Sequence, residues 1–141
     1  MITEKDVKKR IAEILRENGF KVYASDTADG FKKPSFCVDV LPSSMSRENG
    51  CMILTAMSCN IMYFPEVETT EQLINITEKL REMFFYRPFD VEDRRITINE
   101  IKFQFEDTAL SADFELEFYD ELECDNTDAE NFADLDLNLN L

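Results

Sequence analysis

Hydrophobic and polar positions alternate most regularly between Arg95 and Tyr119, where two runs meet at a tight turn. In the second run Leu110, Ala112, Phe114, Leu116 and Phe118 fall on one side, and Ser111, Asp113, Glu115 and Glu117 on the other. That is a strand with one dry face. The first run changes phase, with Ile96 and Ile98 at even positions and Ile101, Phe103 and Phe105 at odd ones. A one-residue bulge near Asn99 and Glu100 brings all five to the same side. A two-residue turn at Asp107 and Thr108 then sets Phe105 opposite Leu110, Phe103 opposite Ala112, Ile101 opposite Phe114 and Lys102 opposite Asp113. Beyond the bulge it sets Ile98 against Leu116 and Ile96 against Phe118.

Upstream, Thr3 followed by Asp6 reads as a helix N-cap with an acidic third residue. Val7, Ile11, Ile14 and Leu15 recur at helical spacing until Gly19. The helix expected over Glu4 to Asn18 carries Lys5, Lys8, Lys9 and Arg16 among Glu13 and Glu17, as a solvated face or a phosphate patch. Phe20, Val22 and Ala24 predict a short strand, and Phe36, Val38 and Val40 a second that stops at Pro42. Polar loops follow each, at Ser25 to Pro34 and Ser43 to Gly50, the first longer than a hairpin needs. Cys51 to Phe64 is apolar on both faces, so it is central or covered on each side. Thr69 and Gln72 predict a capping box ahead of a helix marked by Leu73, Ile76, Leu80, Met83 and Phe84. Phe89 to Asp93 reads as a connector or an edge strand.

Together these predict an α+β fold in the order α-β-β-β-α-β-β. A single mixed or antiparallel sheet of about four to six strands is packed by two helices. The chain divides into one domain over 1–122 and an acidic tail over 123–141. Within the tail Leu135, Leu137, Leu139 and Leu141 alternate with polar residues, either as a strand that adds to a neighbouring subunit or as solubilising low-complexity sequence.

Charge sharpens this division. The net charge is −15, from 30 acids and 15 bases, and Asp120 to Leu141 holds 8 of those acids and no base. Tight binding to nucleic-acid phosphates needs clustered Lys and Arg, so this balance argues against it. No histidine is present, which closes Ser-His-Asp and Cys-His mechanisms and removes a usual zinc ligand. Cys37, Cys51, Cys59 and Cys124 form no CxxC pair and are expected as buried reduced thiols. No hydrophobic run approaches the ~20 residues of a membrane span. The charged start from Glu4 is unlike a signal peptide, so the product is expected to stay soluble inside the cell that makes it.

One catalytic pattern can be drawn. Pro88 and Asp90 followed by Glu100, Ile101 and Lys102 match the PD…ExK arrangement of Mg²⁺-dependent nucleases, against a cross-strand salt pair as the ordinary role of Lys102. Glu115 and Glu117 read as solvation of an exposed face. No catalytic, cofactor-binding or metal-binding residue is assigned.

The order of elements resembles the tail-terminator proteins of long-tailed bacteriophages and phage-tail-like particles. The echoes are ITEKDVKKRIAEILRENGFKVYASD, TTEQLINITEKLREMFF and RRITINEIKFQFEDTALSADFELEFYDEL, and together they look like the small prophage type. The resemblance implies a virion structural protein, assembled in the host bacterial cytoplasm. It implies a homohexameric ring that caps the head-proximal end of the tail tube, stops its polymerisation and meets neck or collar proteins. In contractile tails such a protein also meets the last sheath ring. DNA would pass through the channel without specific binding. A head-to-tail ring needs two unlike patches on each subunit. Phe31, Lys32 and Lys33 in the first loop, Arg47 in the second, and Leu135, Leu137, Leu139 and Leu141 are the candidate interface residues. Phe31 is either folded onto the core or offered to a partner. The alternative outside this class is an acidic binding module or DNA-mimic inhibitor.

Overall fold

The computed structural model describes residues 1–23, 32–67, 69–106 and 109–122. Helix α1 spans Glu4–Glu17 and α2 Thr70–Leu80, the latter running on into a π-helical turn over Arg81–Phe85. The strands are β1 (Val22–Tyr23), β2 (Ser35–Arg47), β3 (Met52–Phe64), β4 (Phe89–Val91), β5 (Arg94–Ile96), β6 (Ile101–Glu106) and β7 (Ala109–Glu121). A five-stranded mixed sheet has the order β1-β2-β3-β7-β6, and β4 and β5 form a separate hairpin. The fold is α+β, with both helices buried against one sheet face.

At the start of α1 the Thr3 hydroxyl accepts from Asp6 N at 3.3 Å, while Thr3 N donates to Asp6 Oδ2 at 2.9 Å. This reciprocal capping box satisfies two end groups of the helix. The bond from the Thr3 backbone is the largest reason the Asp6 carboxyl sits below its ordinary value. Gly19, at φ +89°, supplies the left-handed stop that a side chain would resist. Val7, Ile11, Ile14 and Leu15 are buried in the shared core.

The hairpin of β6 and β7 keeps the expected register: Phe105 opposite Leu110, Phe103 opposite Ala112, Ile101 opposite Phe114 and Lys102 opposite Asp113. Its turn, at Asp107 and Thr108, lies outside the described residues. The continuation differs. Residues 97–100 leave the ladder, and β5 pairs with β4 through Phe89–Ile96, Asp90–Arg95 and Val91–Arg94. The predicted sidedness survives this break, since Ile96 and Ile98 are buried with Leu116 and Phe118. Only the backbone pairing moved, because β4 satisfies the hydrogen-bonding groups of β5.

β3 is the middle strand of the five, which accounts for its apolar character on both faces. Met57, Cys59, Ile61 and Tyr63 enter the core. Met52, Leu54 and Met62 are half-buried on the face away from the helices. β2 does not stop at Pro42. It follows β3 along its whole length, with a register shift between Pro42 and Ser44, so most of the expected polar loop is strand. Pro42 costs little here because it sits at the bulge of an edge segment, where no outer ladder bond is required. β1 lies parallel to β2, Val22 beside Phe36 and Tyr23 beside Cys37. A parallel pair needs the chain to return to the start of the next strand, which explains the length of the first loop.

The second helix is capped less completely than predicted. Thr69 Oγ1 accepts from Gln72 N at 3.3 Å. Thr69 N donates to the carbonyl of Val67 at 2.9 Å, leaving the buried Gln72 Oε1 without a partner among the described residues. At the other end Tyr86 N reaches back to Arg81 O at 2.9 Å, widening the last turn. That turn buries Phe84 edge-on to Phe89, with ring centroids 5.8 Å apart, and stacked on Phe114 at 6.2 Å. Among the described residues no helix is long and apolar enough to cross a membrane.

Candidate assembly surface

The interface residues expected from sequence do not form one surface. Lys32 and Lys33 are exposed just before β2, where Lys32 N donates to the Tyr23 hydroxyl at 3.0 Å. Arg47 is exposed at the far end of the same 13-residue strand, about 40 Å away at the rise of an extended chain. Phe31, Leu135, Leu137, Leu139 and Leu141 lie outside the described residues.

Exposed apolar side chains lie along two separate edges, among them Phe105, which the sequence placed on the dry face. On the β2 edge, Leu41 is 63% and Met45 61% exposed. The bulge after Pro42 places Leu41 on the open face and Met45 on the helix side, beyond the cover of the helices. On the opposite edge Phe105 of β6 is 54% exposed, and Ile74, Phe85 and Tyr86 stand out from α2 and the π turn. Arg81 lies over the Phe103 ring at 5.6 Å, so a cation caps the aromatic face beside Phe105. The length of the apolar run in β3 was the available signal: a strand of that length needs a partner as long, which requires β2 to continue past Pro42.

Between the edges, the sheet face away from the helices holds a groove of about 630 Å³. Asp39, Glu100, Asp113, Glu115 and Glu117 line it against Lys102. Ser43 Oγ donates to Glu115 Oε1 at 2.9 Å, and Asn60 Nδ2 donates to both Ser111 Oγ and Asp113 Oδ1. Asp113 therefore spends its carboxylate on Asn60, and no ion pair to Lys102 closes among the described residues. The groove is open and acidic, a surface that repels polyanions.

Nuclease chemistry is not assembled. Asp90 is held by Arg95 Nε at 3.2 Å, and its carbonyl accepts from Arg10 Nε at 2.7 Å on the α1 side. Glu100 and Lys102 line the acidic groove, which Asp90 does not reach. The three residues share no site. Among the described residues no group of three or more His, Cys, Asp or Glu side chains could hold a metal ion. Cys37 and Cys59 are buried and outside any disulfide, and burial pushes the Cys59 thiol up to about 12. Cys51 is disulfide-bonded, which corrects the expectation of four reduced cysteines. Leu122 N donates to Cys51 O at 2.7 Å, and Cys51 is half-exposed beside the end of the sheet.

The family model of the phage tail terminator protein matches residues 6–129. The chain belongs to the phage tail terminator family. The family is structural, so this terminator is not an enzyme and works as a phage tail component that meets the tail tube. One solved structure is 12% identical, with 89% of this chain and 100% of that one covered and a TM-score of 0.47. At that distance it has no bearing on function. No curated protein sequence matches.

Proposed function

We propose that this terminator assembles as a homohexameric ring on the head-proximal end of the tail tube, where it halts tube polymerisation and presents the opposite rim to neck or collar proteins. Family membership over residues 6–129 is the observation that carries this reading. The two unlike apolar edges are consistent with it, because a cyclic assembly joins different patches of identical subunits. The acidic sheet face, turned toward the channel, would let DNA slide past without sticking. If the tail is contractile, the same ring contacts the last sheath layer. The C-terminal alternation from Leu135 to Leu141 is a candidate strand for docking on a neighbouring subunit or on the neck.

The test is polymerisation of the cognate tube protein with and without the full-length chain. The reading requires shorter tubes, each bearing a ring of this protein at one end by electron microscopy. Tubes of unchanged length without bound protein would refute it.

A further inference from the structure

β6 bounds the sheet on one side, and on the other β1 covers β2 only at Phe36 and Cys37. Among the described residues no strand pairs with the outer edge of Asp39–Arg47 or of Ile101–Glu106. Open backbone edges of this kind are templates for another strand. β3 is antiparallel to β2, β7 to β3 and β6 to β7, so β6 runs opposite to β2. A second copy placed alongside with its sheet facing the same way therefore offers β6 antiparallel to the first copy's β2, the pairing that forms the regular ladder.

The side chains suit one register. After the bulge, Met45 and Arg47 lie opposite Thr55 and Ile53, on the helix side of the sheet, while Ser44 and Ser46 lie opposite Ala56 and Leu54 on the open side. On β6, Phe103 and Phe105 point to the helix side, and Gln104 and Glu106 to the open side. Setting Met45 against Phe105 also sets Arg47 against Phe103, Ser46 against Gln104 and Ser44 against Glu106. On the helix side Met45 meets Phe105 and the Arg47 guanidinium meets the Phe103 ring, and on the other side polar groups meet polar groups. Pairing β6 with β6 across a twofold axis would align Lys102 with Glu106, but it leaves β2 open and stops at two copies.

We infer that the β2 edge of each copy pairs antiparallel with β6 of the next, Met45 opposite Phe105, so that the sheet runs continuously from subunit to subunit. This rests on the ring reading and names the surfaces that close it.

The experiment uses full-length protein carrying Met45→Glu or Phe105→Glu, both at exposed positions, with melting curves to verify the fold. In native mass measurement the wild type assembles and each variant is monomeric. An equal mixture of the two gives a one-to-one dimer and nothing larger, because each variant retains one intact edge. In a second arm, Met45→Cys and Phe105→Cys in one chain cross-link between copies under copper-phenanthroline oxidation. Within a chain the two positions lie three strand spacings apart across the sheet and eight residues apart along it, about 30 Å, too far for a disulfide. Assembly of either variant like wild type, or a mixture without the dimer, overturns the pairing while leaving a ring possible by other surfaces. A Phe105→Glu variant that is monomeric beside a dimeric Met45→Glu variant assigns β6 to itself. Capture of Met45→Cys by Leu137→Cys, and not by Phe105→Cys, gives the edge to the C-terminal segment and overturns it too. A wild type that stays monomeric both alone and on tubes overturns the ring and the pairing together.

Discussion

Arg94 Nη2 lies 3.6 Å from Asp120 Oδ1, on a carboxylate that is almost wholly buried. The other oxygen, Oδ2, accepts from Ile2 N at 3.3 Å. One acid thus ties the start of the chain and the small β4–β5 hairpin to the last turns of β7. A buried carboxylate is tolerated only with such partners.

Asp120→Ala should lower stability by about 1.5–3 kcal/mol, the range for losing hydrogen bonds to a charged group. The half-exposed Arg94 can turn to water, which keeps the loss below that of a fully buried pair. Urea denaturation checks this; an unchanged midpoint would mean the three segments are held by packing alone.

Phe84 gives a larger prediction. It is fully buried between Phe89 and Phe114 at the widened end of α2. Phe84→Ala should cost about 3–5 kcal/mol through lost transfer energy and the cavity left behind. Phe85→Ala, one residue on and exposed, should leave the melting temperature nearly unchanged.

These contrasts show what the sequence carried. The β6–β7 register was legible because a strict period of two in Leu110 to Phe118 allows one pairing that keeps the apolar set dry. Both helices were legible from their caps and their spacing. The break at residues 97–100 was not, since a one-residue bulge and a four-residue excursion both return Ile96 and Ile98 to the core. Pro42 was read as a stop because its lack of an N–H matters in a central strand, and nothing local said that this segment lies at an edge. The exposed pair Leu41 and Met45 was hidden by the same error. Lys32, Lys33 and Arg47 are exposed, but position along one strand, invisible in composition, separates them.

The caps differ in strength. Thr3→Ala removes a reciprocal box and should cost about 1 kcal/mol or somewhat more, whereas Thr69→Ala removes a single bond and should cost less. Thermal denaturation of the two variants side by side decides; equal losses would show that the return bond from Thr3 N to Asp6 adds nothing. Because the Asp6 carboxyl titrates below its ordinary value, its contribution is present above pH 3.8 and fades as pH falls through the lower folded value.

Burial of Cys59 adds stability that alkali removes. Its thiol titrates at about 12 in the folded chain, well above its ordinary value of 9.0, because burial disfavours the thiolate. The protonated form is thus favoured by folding. That stability is complete below pH 9.0 and is lost as pH rises toward about 12. Tyr63, raised by burial and then by the nearby Glu66 charge, acts in the same direction. Iodoacetamide at neutral pH should leave Cys59 unlabelled until denaturant is added. Rapid labelling of the native protein would contradict the burial.

The proposed closed ring of identical subunits at the end of a tail tube is open to direct test. The most direct measurement is the mass and symmetry of the full-length protein bound to polymerised tubes, by electron microscopy of the tube ends. A sixfold ring at one end, with tube growth arrested there, is the predicted result. Single copies scattered along tubes that continue to grow would contradict it.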